Sequence, residues 1–362
     1  MKVLIDHQIF SWQRYGGISR YFANLYQGLN QIPGVSCRVG ALYSANEYLK
    51  DEPLLLNNII GSSIFNADKD KIYKWNRRYC RWNIRQNNFD IFHPTYFDPD
   101  FIKYLRKPFV ITIHDMIYEL MPDVFDRPAV IIEQKRQLIA KADAIIAISQ
   151  HTKQDLLKFY PEAEGKVTVI YHGIVNKGSA VSNTNSFGSY ILYVGDRWHY
   201  KNFTKLINAI GPILNQNKDL TLICAGGGSF TEEELALLSN KGIVDQCRQM
   251  NADDQTLAQL YQGAQLFVFP SLQEGFGLPI LEAFTNNCPV VCSNTTSLPE
   301  VGGEAAIYFD PHSEDSIAKA ITKVLFDKGL QQDLRQKGTE QLKKFSFDNC
   351  LQETLKVYKS VL

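Results

Sequence analysis

Short runs of β-branched and other apolar residues recur along the chain, with helical patterns between them. One series is Lys2–Asp6, Phe109–Ile113, Ala144–Ile148 and Val167–Tyr171; a second is Ile191–Gly195, Leu220–Ala225, Leu266–Phe269 and Pro289–Ser293. Runs this short and this continuously apolar suit strands buried on both faces, and their alternation with helices implies parallel sheets. Two doubly wound α/β sheets are therefore expected, one per series. Between the series lies Asn176–Ser189, rich in Ser, Asn and Gly and poor in residues that pack, which reads as a linker. A first Rossmann-like domain over 1–175 and a second over 190–344 follow. Open α/β sheets bind ligands outside the carboxyl ends of their strands, so a cleft between the two sheets is the expected site.

At 362 residues the chain exceeds the roughly 250–300 at which one core stops growing, in keeping with two domains. Lys plus Arg and Asp plus Glu stand at 38 each, which disfavours a nucleic-acid binder. The balance is uneven: residues 1–180 carry 23 basic against 18 acidic side chains and residues 181–362 carry 15 against 20, as fits lobes with different partners. No apolar run approaches the ~20 residues of a membrane span, and the opening MKVLIDHQIF lacks a charged n-region followed by a long apolar h-region. A cytoplasmic location is expected, with the inner face of the cell membrane as the alternative. The seven cysteines include no CxxC pair and make an odd count, which suits small core residues better than a disulfide framework.

Chemistry is densest in Phe269–Phe284, FPSLQEGFGLPILEAF. A strand ends at Phe269, a glycine-rich turn follows, and Pro279 stands in the first turn of a helix, where its missing N–H costs nothing. Gly275 and Gly277 let the backbone approach a ligand, and the positive end of the helix suits a diphosphate. Glu274 precedes the helix and Glu282 lies within its first turn or so, both able to accept hydrogen bonds from sugar hydroxyls.

This segment resembles the signature of the retaining glycosyltransferase family 4, whose GT-B fold sets two Rossmann-like domains facing a central cleft. By that resemblance Glu274 contacts the donor hexose, Glu282 binds the ribose, and Gly275, Phe276, Gly277 and Leu278 hold the diphosphate. Tyr15–Arg20, YGGISR, is similar to the family's N-terminal loop, which sets Gly16 and Gly17 against the donor phosphates and the acceptor. His114-Asp115, after the strand FVITI, matches the element whose His faces the donor sugar. Ser149 and Thr152 match a polar helix start kept at the cleft, although an N-cap role explains Ser149 equally well. The second domain opens with Tyr193–Asn202, YVGDRWHYKN, where the family usually has Arg directly after VG. Here Asp196 takes that place, Arg197 comes one residue later, and Lys201 is in register. Arg197 and Lys201 are the expected cations on the leaving diphosphate, because fixed charge must meet the developing negative charge when no metal does. The base is expected near Met250, and helix 345–362 is expected to cross back to the first domain.

The whole pattern is most similar to the mannosyltransferase-like branch acting in bacterial polysaccharide synthesis. That implies a retaining hexosyltransferase with no metal and no cofactor beyond its donor, a GDP-hexose, with mannose first and glucose second. A glycan or lipid-linked molecule is the implied acceptor, and the leaving phosphate takes its proton. A UDP-sugar donor, a nucleotide-sugar epimerase of the same fold and a non-catalytic sugar-nucleotide binder are the alternatives. Asp98-Pro99-Asp100 and Asp68-Lys69-Asp70 fit the DxD spacing of metal-dependent transferases, but two hits without further hard-cation ligands show how common that spacing is. Finally, Lys69–Arg85 places Ile72, Trp75, Tyr79 and Trp82 on one helical stripe beside Lys71, Lys74, Arg78, Arg81 and Arg85. Such a helix suits an anionic membrane surface. The favoured reading is that its aromatics pack on the first domain, with the cations as a solvated rim.

Overall fold

The computed structural model describes residues 1–57, 59–65, 68–175 and 187–362. It divides into two units, Met1–His172 with Asp348–Leu362, and Gly173–Phe347. Strands of the first unit are β1 (Lys2–Ile5), β2 (Ser36–Val39), β3 (Ile91–His93), β4 (Val110–Ile113), β5 (Ala144–Ala147) and β6 (Val167–Val169). All pair in parallel, in the orders β2-β1-β3 and β4-β5-β6. The two trios meet at an isolated bridge between Phe92 and Phe109, where Phe92 N donates to Pro108 O at 3.0 Å. β3, β4 and β5 are buried along their whole length, as continuous apolar runs require.

The second unit carries β7 (Ser189–Val194), β8 (Leu220–Ala225), β9 (Cys247–Met250), β10 (Leu266–Phe269), β11 (Val290–Ser293) and β12 (Ala306–Phe309). They form one parallel sheet in the order β12-β11-β10-β7-β8-β9. The chain moves outward from β7 to β9 and then returns to β10 on the other side of β7. That reversal makes a topological switch point, so the loops after β7 and β10 flank the crevice where such sheets take ligands. Of the linker expected over 176–189, residues 176–186 lie outside the described residues, and Ser189 already belongs to β7.

Helix Phe347–Ser360 buries Cys350, Leu351, Thr354, Leu355, Val357 and Tyr358. The Tyr358 hydroxyl lies 2.6 Å from Nδ1 of His93, whose Nε2 lies 2.9 Å from Thr112 Oγ1, so this helix is hydrogen-bonded into the first unit's sheet. All seven cysteines are buried and free. Among the described residues no helix is long and apolar enough to cross a membrane.

On helix Lys69–Gln86 the structure departs from the sequence expectation. Its buried face is Ile72, Asn76, Cys80, Asn83 and Ile84. Asn76 Oδ1 accepts from Leu42 N and Tyr43 N at 2.8 and 3.2 Å, and its Nδ2 donates to Tyr43 O and Ser11 Oγ at 2.7 and 2.9 Å. A buried amide is expensive to leave unpaired, so this network fixes the helix's rotation. Trp75 and Trp82 are turned outward in consequence, 46% and 54% exposed, instead of packing on the unit.

Candidate active site

The loop after β7 runs from Gly195 to Asn202 and holds three of the residues singled out in the sequence. Arg197 is placed otherwise than the sequence suggests. Its Nε donates to Glu234 Oε1 at 2.9 Å, Nη1 to Gly226 O at 2.8 Å, and Nη2 to Gly228 O and Ser229 O at 2.9 and 3.0 Å. The ring centroid of Phe230 lies 4.8 Å from its Cζ. Glu234 is itself fixed at a helix start by a capping box with Thr231. A buried guanidinium bonded in this way organises the glycine turn after β8. Asp196 is exposed beside it, its carbonyl accepting from the Tyr193 hydroxyl.

Lys201 does face a partner in the crevice, with Nζ 2.6 Å from Glu274 Oε1 and both side chains mostly covered. Two further contacts tie their loops together: Leu272 N donates to Tyr200 O at 2.7 Å, and Asn202 Nδ2 donates to Pro270 O and Pro311 O at 3.1 and 2.8 Å. Burial works against the Lys201 ammonium, but the Glu274 carboxylate, Tyr200 and Asp196 together push the pKa above the usual lysine value. The ammonium is therefore charged throughout the neutral range.

Glu274 begins the turn that leads into helix Leu278–Thr285. Buried Ser297 shares its hydroxyl between Glu274 O at 3.0 Å and Phe276 O at 2.9 Å. In a trans peptide the N–H points opposite to the C=O, so the amides of Gly275 and Gly277 are directed away from Ser297. Gly277 has φ +110°, and a Cβ there would come within 2.9 Å of Leu298 Cδ2, so the turn demands glycine. Phe276 is buried, edge-on to Phe345 at 5.8 Å. Glu282, in the second turn of the helix, accepts from the Tyr261 hydroxyl at 3.3 Å. Met250 ends β9, its carbonyl accepting from Gly226 N at 3.0 Å, which ties the expected base region to the glycine turn.

In the first unit, Gly16 caps helix Gly17–Gln31, with its carbonyl accepting from Arg20 N at 3.0 Å. His114 follows β4 and is buried with Nε2 lacking a hydrogen-bond partner. The rings of Tyr21 and His172 lie 5.6 Å from it, His172 in near-parallel stacking. Burial, and then the neighbouring His172, His93 and Lys135, hold its pKa well below the usual imidazole value, so it is a neutral ring. Beneath it the Asp115 carbonyl accepts from Lys135 Nζ at 3.1 Å, and Lys135 pairs with Glu119 at 2.8 Å in full burial. Ser149 Oγ accepts from Thr152 N at 2.9 Å, the N-cap of helix Gln150–Phe159.

Three of the four aspartates in the DxD matches are engaged in structural bonds. Asp98 accepts from the Tyr73 hydroxyl at 2.6 Å and from Asp100 N at 3.0 Å, Asp100 pairs with Arg81, and Asp68 accepts from Lys71 N at 3.0 Å as a helix cap. Among the described residues no three or more His, Cys, Asp or Glu are grouped to hold a metal ion. The structure thus brings Lys201 and Glu274 together and sets Arg197 behind them. Sequence reasoning missed Ser297, Asn202, Glu234 and His172, whose roles rest on partners distant in the chain; only the Thr231-x-x-Glu234 spacing carried a local signal.

Two family models adjoin along the chain. One described as "Glycosyltransferase Family 4" matches residues 15–176, and one described as "Glycosyl transferases group 1" matches residues 177–341. The O-antigen chain mannosyltransferase B of Escherichia coli is 28% identical over 77% of this chain and 76% of its own. The O-antigen chain mannosyltransferase RfbU of Salmonella typhimurium is 27% identical over 67% of each chain. The Anabaena HepE structure in complex with UDP and glucose superposes with a TM-score of 0.76 over 99% of this chain and 100% of its own, at 17% identity. At that identity the likeness shows the GT-B fold.

Proposed function

Because the chain belongs to glycosyltransferase family 4, we propose that it is a retaining mannosyltransferase of polysaccharide synthesis, moving the hexose of a GDP-sugar to a glycan or lipid-linked acceptor without a metal ion. The observation that carries this reading is the Lys201–Glu274 pair, 2.6 Å apart at the sheet's switch point and joined to a helix N-terminus by a glycine turn. A diphosphate arriving there draws the Lys201 ammonium to itself, and Glu274 is released to accept a hydrogen bond from the hexose. The backbone of Gly275–Leu278 and the positive end of helix Leu278–Thr285 meet the phosphates. Glu282 takes the ribose hydroxyls, and the base lies near Asp196 and Met250. Arg197 acts from behind, holding the glycine turn in shape.

In the first unit, Gly16 and Gly17 are assigned to phosphate and acceptor, and the uncharged His114 offers its unpartnered Nε2 to a sugar hydroxyl. The bond from the anomeric carbon to phosphate oxygen breaks and a bond to the acceptor oxygen forms on the same face. The acceptor's proton passes to the departing phosphate. Mannose is favoured by the mannosyltransferase names of the two bacterial relatives, with glucose second. UDP is the second reading for the nucleotide, favoured by the ligands of HepE.

A thermal-shift panel of GDP, UDP, ADP and TDP, each with and without EDTA, tests the donor and the metal together. A nucleotide at 100 times its Kd stabilises by about 2.7 kcal/mol. GDP is expected to shift the melt most, equally in EDTA. A shift with UDP alone overturns the donor assignment, and a GDP shift abolished by EDTA overturns metal independence. Release of an epimerised donor without an acceptor would identify an epimerase instead.

A further inference from the structure

All four tryptophans of the chain stand in solvent: Trp12 is 56% exposed, Trp75 46%, Trp82 54% and Trp198 47%. Indole gains more than most side chains from leaving water, so exposure of every copy calls for a reason. Two of them share helix Lys69–Gln86 and lie two turns apart on one face. Tyr79 stands between them and stacks on Trp82 at 5.8 Å, while the Arg78 guanidinium lies 5.7 Å from the Trp75 ring. Trp12 meets Tyr73 on the opposite flank of the same helix, edge-on at 5.4 Å, and stands outside this face.

Charge is concentrated on the same helix. Residues 69–86 hold seven cations and one acid, Asp70, whereas the first unit as a whole holds 24 cations and 20 acids. The unit's positive excess is therefore carried by this helix, and its remainder is slightly acidic. Arg81 is engaged by Asp100, but Lys71, Lys74, Arg78 and Arg85 are exposed around the aromatic stripe. The Asn76 network prevents the helix from rolling the indoles inward.

We propose that the Trp75–Tyr79–Trp82 face of helix Lys69–Gln86 docks the protein on an anionic lipid surface. Indoles seat at the level of the headgroups, apolar body inward and N–H outward, while long basic side chains reach lipid phosphates around them. A protein partner is a poorer fit, since the centre of a protein interface is depleted of charge and here cations interleave with the rings. Nucleic acid is a poorer fit because the chain's total charge is zero and the second unit is acidic.

Co-sedimentation with vesicles of equal phosphatidylcholine and phosphatidylglycerol, against phosphatidylcholine alone and with no nucleotide sugar present, tests this independently of the transferase reading. Wild-type protein is expected to pellet with the anionic vesicles only and to be released as salt is raised to about 1 M. The variant Lys71→Gln/Lys74→Gln/Arg78→Gln/Arg85→Gln is expected to lose at least 100-fold in partition, since each cation near the surface contributes about fivefold. Trp75→Ser/Trp82→Ser is expected to lose at least tenfold and to abolish quenching of tryptophan fluorescence by brominated lipid, while Lys74→Arg/Arg78→Lys binds as wild type. Failure of the wild-type protein to pellet overturns the proposal, and so does unchanged binding by the four-glutamine variant. Preference for a single-stranded oligonucleotide over the vesicles overturns it in favour of nucleic acid, and a dimer dispersed by Trp75→Ser/Trp82→Ser overturns it in favour of a second copy.

Discussion

Lys201 and Glu274 come from the loops after two neighbouring strands and pair at 2.6 Å, so each holds the other's side chain in place. Removing either partner has a different consequence. Lys201→Met takes away the ammonium meant for the diphosphate, and nucleotide binding is expected to weaken by about tenfold to a hundredfold, the range of one charge-assisted hydrogen bond. Glu274→Gln frees Lys201, so nucleotide binding is expected to hold or tighten while transfer falls by on the order of 100-fold. Calorimetry with GDP beside a turnover assay separates the two, and full turnover in Glu274→Gln would falsify its role at the hexose.

Arg197 and Glu234 form a buried ion pair in which the guanidinium also serves the glycine turn's carbonyls. Arg197→Met leaves Glu234 and those carbonyls without their donor, and a loss of about 3–5 kcal/mol is expected in urea unfolding. A cation standing free on the surface would contribute only about 0–1 kcal/mol. Wild-type stability in this variant would show that the guanidinium faces solvent and not the turn.

Ser297 shapes the glycine turn without being directed at a ligand. Ser297→Ala is expected to cost about 1–2 kcal/mol of stability and to raise KM for the donor more than it lowers kcat, because the amides of Gly275 and Gly277 lose their fixed direction. Ser297→Thr keeps the hydroxyl and should recover most of the donor KM. Equal KM in wild type and Ser297→Ala argues against the positioning role.

Acid should loosen the first unit before the second. Burial lowers the pKa of His7, His93 and His172 to about 3 and that of His114 well below its usual value, so their folded forms are neutral. Unfolded imidazoles bind protons below about pH 6.5, so these groups contribute fully above that pH and their contribution is lost as pH falls toward about 3. Asp6 acts in the opposite sense: burial raises its pKa to about 6, so its contribution is present below the usual carboxylate value and is lost as pH rises through about 6. Four histidines outweigh one aspartate, and between pH 6.5 and 5.5 the net loss is on the order of 3 kcal/mol. Urea melts across that interval, followed by fluorescence and by hydrogen exchange in Val110–Ile113, give the sign directly; stability that rises on acidification contradicts the assignment.

Strands that read as unbroken apolar runs were legible, and those that did not are mostly at the margins of the sheets. β2, β9 and β12 are edge strands, free to alternate or carry polar residues because one side meets solvent, and β3 offers only Ile-Phe-His. The glycine turn and its helix were legible because that chemistry is contiguous: Glu274, Gly277 and Pro279 lie within six residues. The inward turn of Arg197 was not, since its partners begin about thirty residues later. Nor was the rotation of helix Lys69–Gln86, where Asn76 has the composition of a surface residue and the environment of a core one. Hydrogen bonds to distant backbone decided both cases, and periodicity carries no trace of them.

Tyr358 reaching His93 has a bearing on how the molecule comes into being. The stretch Gly173–Phe347 is contiguous, but the unit before it lacks its closing helix until residues 348–362 have been translated. A released chain truncated after Phe347 should therefore resist protease in the later segment and be cut in the earlier one. Of the two units, the one translated earlier is the one that matures later.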